Sequence, residues 1–493
     1  MAVVYSFVDL DSYLGVATNI NNWILDTFDD LFSWTSFIML VTLVVVYFSP
    51  LAKVKIGGKD AKPLLSKWRW FAITLCTTIA TGILFWSAAE PMYHAYAPPE
   101  SLDIQSNSAQ AKAFAMGTMF MHWSFTPYAI YCVPSLVFAL CFYNLKRSFS
   151  IGASLSPALG NGIERNGGRI VDAIALFSLV AGMAASLGTG ILILGGGVES
   201  VTGIANSKTV MAFVAIAIVS SFVISALSGL QKGIAKLSHA NAIVFIGLFS
   251  FVLVVGPTAS IVSLGIDGVV QYAQSFFPRS FNTYLDSSDT WAQSWTIFYL
   301  ANWFAWAPIA ALFLGKIARG YTVRQFISIN LILPSLVIVF WMSTFTGTAM
   351  HLDEALNGQL RASLLDKGPE SVIFMLIDNL PLASIMSFAF IGATFISFVT
   401  AADSNTDAMS NLCSKGNNAE NNQANHLMKY VWGICIGIIA WVMVSFASID
   451  GIRMMSNLGG LPAMFIIMVT NVSLLVLLYR VIKGDSLEPD SKS

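Results

Sequence analysis

Long apolar runs alternate with short polar segments along almost the whole chain. Each run has about 20 residues, the length that an α-helix needs to cross the hydrocarbon core of a bilayer. The pattern predicts an all-α polytopic membrane protein with about eleven spans. These spans lie near residues 31–49, 70–88, 113–143, 171–195, 209–229, 240–256, 292–315, 326–347, 384–404, 431–448 and 459–480.

The segments outside the spans are mostly too short to form a soluble domain. Residues 1–30 are expected as an outer N-terminal segment, too short and too polar in their first 20 residues to cross a membrane. Residues 481–493 are expected as a cytoplasmic tail. The longer connection 257–291 contains the stretch GIDGVVQYAQSFF, which predicts a short helix lying at the membrane surface.

The basic residues indicate the orientation in the membrane. None precedes Lys53, and the first loop then carries a cluster of lysines and an arginine. If that loop is cytoplasmic, the cytoplasmic side holds 20 of the 26 Lys and Arg residues. Cytoplasmic loops carry an excess of these residues. The pattern therefore predicts an outer N-terminus and a cytoplasmic C-terminus.

Composition supports a membrane protein and excludes other classes. The 493 residues are 56% hydrophobic and 11% charged, with a net charge of −1 and a mean hydropathy of +0.70. No basic run suggests a nucleic-acid partner, and no nucleophile–base pair or metal-ligand spacing suggests an enzyme. We expect a lipid bilayer and a small molecule as the partners, and no resident cofactor.

Two predicted spans contain residues that interrupt a helix. The second span has Gly82 in its interior and Pro91 near its outer end, and the seventh has Pro308 in its middle. Proline leaves a backbone carbonyl without its helical partner, and in a membrane such groups are tolerated where they line a cavity or meet an ion. Interrupted helices in both halves of a chain point to a transporter binding site. The alternative is that the prolines only bend two membrane helices.

Aromatic residues are concentrated in the third and seventh spans. Trp123, Tyr128 and Tyr131 follow at spacings of 5 and 3, which place them at similar angles on one continuous helix. With Trp303 and Trp306 they would form a cage for a quaternary ammonium group, held by the ring quadrupoles without a counter-charge. The alternative is an ordinary aromatic packing cluster.

Polar residues near the end of the ninth span are a second candidate set. Thr400, Asp403, Ser404 and Asp407 bring hydroxyl and carboxyl oxygens to membrane depth. Oxygen ligands suit a small alkali cation, unless the helix has already reached the cytoplasmic surface at these positions. Ser186, in the small-residue-rich fourth span, is a candidate for facing a cavity.

Five segments of the chain together resemble the betaine/choline/carnitine transporter (BCCT) family. They are FWSAAEP, HWSFTPYAIY, SWTIFYLANWFAWAP, GKIARGYTVRQF and FVTAADSN, in this order. The resemblance implies inverted five-helix repeats similar to the amino-acid/sodium symporter (LeuT-like) fold, at residues 70–256 and 292–480, with the helix 31–49 outside them. It also implies alternating access around a midplane site, a bacterial-type inner membrane and a homotrimer.

The resemblance also assigns roles to single residues. Trp123, Tyr128, Tyr131 and Trp303 match the family's cage positions, and Trp306 matches a tryptophan that contacts the substrate as it moves inward. The chain departs from the family's betaine carriers at Asn302 and Tyr128, where those carriers have tryptophan. Both changes make the site more polar, and the asparagine would bond a substrate oxygen. Choline, carnitine, a betaine and a sulfonium analogue all remain open.

Coupling to sodium is expected through one site. By resemblance, the backbone carbonyls of Cys76 and Ile79 and the hydroxyl of Thr400 would hold the ion. Ala401 replaces a serine ligand of sodium-coupled relatives, and Met183 replaces a threonine of their second site. Proton coupling and ion-independent exchange are therefore alternatives, as is a sensor that binds the solute without transporting it. Relatives usually have one more span before residue 22, so the chain has either eleven spans or a truncated start.

Overall fold

The computed structural model describes residues 9–79, 82–163, 167–227, 231–281, 283, 285–413 and 426–487. This part of the chain is helical, and its one β contact is an isolated antiparallel bridge between Lys55 and Thr322. The longer helices are α1 (Leu10–Phe48), α2 (Lys67–Ile79), α3 (Gly82–Tyr96), α4 (Ala109–Trp123), α5 (Phe125–Ala139), α6 (Gly168–Thr202), α7 (Lys208–Leu227), α8 (Gln231–Val255), α9 (Thr258–Ser280), α10 (Phe298–Lys316), α11 (Leu333–Ala355), α12 (Gln359–Lys367), α13 (Glu370–Asp378), α14 (Ala383–Leu412) and α15 (His426–Ile482).

Length and apolarity confirm an all-α polytopic membrane protein. Seven helical segments of the described chain are long and apolar enough to cross a bilayer. The Ala240–Val255 part of α8 and the whole of α9 pass the same test as a pair bent by 105°. Two predicted spans, 431–448 and 459–480, lie within α15, where Ser448 has non-helical backbone angles (φ 49°, ψ −131°).

The first helix begins much earlier than the predicted span. The sequence places its start near residue 31, but α1 begins at Leu10, where the Asp9 carboxylate accepts a hydrogen bond from the Ser12 backbone amide at 3.0 Å. Ala17 and Ile24 are buried against the bundle, whereas the polar residues between them interrupt the apolar run. The expected outer segment 1–30 is therefore largely part of this helix, because an amphipathic face is enough to hold it.

The connection 257–291 contains the helix α9, and its position at a membrane surface stays a prediction. It begins directly after Gly256 and Pro257, where the chain turns by 105°. One side of α9 packs closely on the bundle: a Cβ atom added at Gly268 would lie 2.1 Å from Met116 on α4. Small residues in this position let the two helices approach.

The core that positions the candidate site surrounds α10. This helix packs against α5, α6 and α15, and nearly all of its side chains are buried, as expected for a helix without a solvent or lipid face. A Cβ atom added at Gly460 would lie 2.4 Å from the carbonyl oxygen of Ala301, so α15 and α10 meet backbone against backbone. The side chains of α10 are therefore held in fixed directions.

Candidate substrate site

The second predicted span is described as two helical parts. Helix α2 ends at Ile79 and α3 begins at Gly82, with residues 80–81 outside the described chain. Gly82 faces the ring of Trp123: a Cβ atom there would lie 2.6 Å from the Cη2 atom of the indole. Glycine is therefore required at the start of α3 because a larger residue would displace the indole.

The third predicted span is interrupted near its centre, although the spacing of its aromatic residues was interpreted as one continuous helix. Ser124 has non-helical angles (φ −107°, ψ −118°) and separates α4 from α5. Trp123 is the last residue of α4, whereas Tyr128 and Tyr131 belong to α5. The assumption of one continuous helix through these aromatic residues was wrong, although the structure still brings them together.

Four predicted cage residues form one buried group, which we call the aromatic cluster: Trp123, Tyr128, Tyr131 and Trp303. The Trp303 ring is its centre, with centroid distances of 5.9 Å to Trp123, 5.6 Å to Tyr128 and 4.8 Å to Tyr131. All three pairs are edge-on or tilted, the arrangements that aromatic quadrupoles favour. The cluster joins α4 and α5 of the first half of the chain to α10 of the second half.

Hydrogen bonds fix the direction of the rings. The Trp303 indole N–H donates to the backbone carbonyl of His122 at 3.0 Å. The Trp123 indole N–H donates to Oε2 of Glu90 at 2.8 Å. The Thr78 hydroxyl donates to the Tyr128 phenol oxygen at 3.3 Å, which links the cluster to the last turn of α2.

Glu90 is a residue whose role the sequence did not reveal. Its fully buried carboxylate contacts two donors, the Trp123 indole and the Tyr299 hydroxyl, and two imidazole nitrogens. Oε1 lies 2.6 Å from Nδ1 of His122 and 3.0 Å from Nε2 of His94, and Oε2 also accepts from the Tyr299 hydroxyl at 2.6 Å. The spacing of Glu90 and His94 by one helical turn was the only local signal. The other partners come from α4 and α10.

Glu90, His94 and His122 are also a group of possible metal ligands within the described chain. Two ligand atoms of one tetrahedral zinc ion would lie about 3.3 Å apart. The observed separations of 2.6 and 3.0 Å are instead those of hydrogen bonds. The group therefore fits a hydrogen-bonded carboxylate better than a metal centre.

The remaining predicted substrate residues lie outside the aromatic cluster. Ser186 and Trp306 line a narrow cavity together with Met183, Ala401 and Asn405. Asn302 points toward α15, where its Oδ1 accepts the Ser456 hydroxyl at 3.0 Å. The structure thus separates the predicted site into the aromatic cluster, a cavity beside Trp306, and a polar contact between α10 and α15.

The predicted ion ligands lie on two neighbouring helices. Cys76 and Ile79 belong to the last turns of α2, which packs against α14; their side chains lie outside the described structure. The Thr400 hydroxyl, on α14, donates to the carbonyl oxygens of Ile396 at 2.9 Å and Ser397 at 3.1 Å. The side chains of Ser404 and Asp407 also lie outside the described structure.

Comparison with known proteins gives a consistent family. Residues 1–482 match the profile described as "BCCT, betaine/carnitine/choline family transporter". The chain is 31% identical to a glycine betaine transporter of Bacillus subtilis, over 96% of this chain and 91% of that protein. It is also 31% identical to a glycine betaine/proline/choline/ectoine transporter of Vibrio parahaemolyticus, over 92% of this chain and 80% of that protein.

Two further proteins are similar to this chain. An ectoine/hydroxyectoine transporter of Virgibacillus pantothenticus is 30% identical over 89% of this chain and 86% of that protein. Among solved structures, a substrate-bound, outward-open Na⁺-coupled sialic acid symporter aligns with a TM-score of 0.49 and 12% identity, over 91% of this chain and 86% of that chain. The family assignment rests on the sequence relatives.

Proposed function

Since the chain belongs to the betaine/carnitine/choline transporter (BCCT) family, we propose that it is a secondary active transporter importing a compact quaternary-ammonium solute. Glycine betaine, choline, carnitine and a sulfonium analogue are the candidate solutes. The family consists of transporters, so the prediction of a transporter and not an enzyme is confirmed. The chain is accordingly an integral membrane protein.

The observation that carries the proposal is the aromatic cluster. Four rings from α4, α5 and α10 are buried around Trp303. Indole and phenol faces attract a quaternary ammonium group, and the attraction strengthens when water is excluded. Because this group cannot donate a hydrogen bond, ring faces are the chemistry that suits it. The Trp306 cavity, lined also by Ser186, is our candidate for the next position on the substrate path.

We propose sodium symport through one site as the coupling mechanism. Cys76 and Ile79 lie in the last turns of α2, beside the Thr78 hydroxyl that bonds to Tyr128 of the aromatic cluster, and α14, which carries Thr400, packs against α2. The alternatives are proton coupling and ion-independent exchange, because Ala401 offers no side-chain oxygen. A substrate sensor on the same fold is the alternative from another functional class.

The proposal also covers the membrane, the orientation and the assembly of the transporter. We propose a multi-pass protein of a bacterial-type inner membrane, with the N-terminus outside, the C-terminus in the cytoplasm, and a homotrimeric assembly. The distribution of Lys and Arg supports the orientation. Osmoprotection or nutrient supply is the corresponding physiological purpose.

The test is uptake of radiolabelled glycine betaine and choline into proteoliposomes, with and without an inward sodium gradient at fixed pH and membrane potential. We expect accumulation that depends on the gradient. Uptake that does not depend on sodium would contradict sodium symport and favour proton coupling or exchange. Binding without uptake would indicate a sensor, and absence of both would contradict the proposed solutes.

The cluster itself is tested by Trp303→Leu, which removes its central ring. We expect binding to weaken about thirtyfold or more, since a desolvated cation–ring contact contributes about 2 kcal/mol. Trp68→Leu is the matched control, because Trp68 is 61% exposed at the surface. Unchanged affinity in the Trp303 variant would refute the cage.

The role of Asn302 is tested by Asn302→Trp on a panel of betaine, choline and carnitine. If the amide recognises a substrate oxygen, the preference among these solutes will change. Its bond to Ser456 offers a control, because Ser456→Ala frees the same Oδ1 atom without adding bulk. An identical preference in both variants would remove Asn302 from substrate recognition.

A further inference from the structure

We propose that Glu90 is a permanently ionised carboxylate that holds the aromatic cluster in place and makes it select a quaternary ammonium group over an uncharged tert-butyl group of the same shape. This inference rests on the proposed function, because it concerns how the same cluster discriminates its ligand. Glu90 is a positioning residue in this scheme: it acts through the rings it binds and does not itself touch the substrate.

The contacts of the carboxylate support an anion. Oε1 faces ring nitrogens of His94 and His122, and Oε2 accepts from the Trp123 indole and the Tyr299 hydroxyl. An ionised carboxylate is an acceptor only and has room for about four donors. Oε2 already accepts from two donors, so a proton on the carboxyl group would have to sit on Oε1, facing the two imidazole rings. When both imidazoles donate to Oε1, the carboxylate accepts four hydrogen bonds, and these favour the charged form.

The hydrogen-bond partners of His94 and His122 indicate that both imidazole rings are neutral. The Thr296 hydroxyl is buried and lies 3.0 Å from Nε2 of His122, the partner to which it can donate. This leaves the proton of His122 on Nδ1, facing Glu90. Nδ1 of His94 is buried without a partner in the described chain, so a proton there would be an unsatisfied donor.

No lysine or arginine lies within 4 Å of the Glu90 carboxylate among the described residues, and its ion-pair contacts are with the two histidines alone. The Arg279 guanidinium lies over the Phe114 ring, and Arg453 lies over the Trp295 ring. The group around Glu90 consequently carries one negative charge inside the bundle. In that environment a charge acts over a longer distance than in water.

Hydrogen bonds connect the Glu90 carboxylate to two rings of the aromatic cluster. Trp123 donates directly to Glu90, and a carboxylate at the N–H edge of an indole makes the ring face more negative. Trp303 is held indirectly, since its indole donates to the backbone carbonyl of His122, whose own ring is bonded to Glu90. One carboxylate thereby positions a ring from each half of the chain.

The test compares ligands that differ only in charge. Choline is paired with its neutral carbon isostere 3,3-dimethylbutan-1-ol, and glycine betaine with 3,3-dimethylbutanoate. For the pair whose ammonium member the parent protein binds, Glu90→Gln is expected to weaken ammonium binding about tenfold or more. Binding of the carbon isostere is expected to change much less.

Three results would separate the inference from simpler accounts. A purely structural role for Glu90 would weaken both members of the pair equally, and an unchanged ratio would overturn the charge argument. Glu90→Asp keeps the charge and is expected to restore the ratio toward the parent value. Glu370→Gln, assayed at pH 8, is the matched control, because at that pH it neutralises another buried carboxylate that lies on α13, outside the aromatic cluster.

A ligand-independent measurement covers the case in which a variant or the parent fails to bind. The indole ¹⁵N–¹H resonance of Trp123, identified by its loss in Trp123→Phe, is expected far downfield and to move upfield in Glu90→Gln but not in Glu370→Gln. An unmoved resonance would refute the positioning role. A parent that binds neither ammonium compound would instead refute the proposed function and the cation selection with it.

Discussion

Two buried glutamates are held in very different ways. Glu90 is fully buried inside the helix bundle, and Glu370 is 7% exposed at the start of α13. Four donor groups surround the Glu90 carboxylate. In the described chain, Glu370 receives one side-chain bond, from Nδ2 of Asn206 at 3.0 Å, and one from its own backbone amide. Burial raises the pKa of Glu370 from 4.5 to about 7, and the nearby Glu199 carboxylate adds to the rise.

The comparison shows that burial alone does not decide the charge of a carboxyl group. Desolvation disfavours the anion at both positions, and the number of donors decides how far this is offset. At Glu90 the donors come from three helices that meet in the core. At Glu370 the one side-chain donor in the described chain is Asn206. The backbone amide of the same residue donates to Glu199 at 2.8 Å. The first site is therefore suited to a fixed charge, and the second to a charge that changes near neutral pH.

The largest expected effect is that of Glu90→Leu. The substitution leaves an indole N–H, a phenol O–H and two imidazole groups without their acceptor. Each unsatisfied buried donor destabilises by about 1–3 kcal/mol, so we expect a loss of about 4 kcal/mol or more. Denaturant unfolding in detergent micelles, followed by tryptophan fluorescence, measures it. Equal stability of Glu90→Leu and Glu370→Leu at pH 8 would remove the distinction between the two sites.

The second prediction concerns the pH dependence that Glu370 causes. Below pH 4.5 the group is protonated in both the folded and the unfolded chain, so it has no effect. Between pH 4.5 and about 7 the unfolded chain releases the proton and the folded chain keeps it, so stability falls as the pH rises. Above about pH 7 the loss is constant, at about 3 kcal/mol.

Glu370→Gln is the variant that checks this dependence. It is expected to match the parent near pH 4.5 and to exceed its stability at pH 8, because the amide has no proton to release. Unfolding curves recorded between pH 4.5 and 8 give the comparison. A difference in stability between parent and variant that does not change across this range would contradict the raised pKa of Glu370.

The smallest expected effect is that of Asn206→Ala. Removing the amide that donates to Glu370 raises the pKa of Glu370 further and moves the fall in stability to higher pH. The additional loss at pH 8 is expected to be about 1 kcal/mol, the usual contribution of one hydrogen bond. Asn379→Ala is the control, because that exposed side chain bonds within α13 to the Met375 carbonyl. The same pH profile in both variants would show that Asn206 does not change the pKa of Glu370.

The sequence predicted some elements well because their signals are local. Apolar runs identified the membrane helices, and the motifs around Trp123 and Trp303 identified the aromatic cluster and the family. The start of α1 was missed because polar residues interrupt its apolar face between Ala17 and Ile24. The break at Ser124 was missed because Pro127, in the first turn of α5, was not interpreted as the start of a new helix.

By itself, the sequence determined that this chain is a helical membrane protein, which family it belongs to, and which aromatic residues serve as cage candidates. These properties follow from the length, composition and order of short segments. The tertiary structure alone decided which polar groups meet. The Glu90 carboxylate receives its hydrogen bonds from Trp123, 33 positions away, and from Tyr299, 209 positions away. A buried group's charge depends on such distant donors, and no local pattern of residues specifies them.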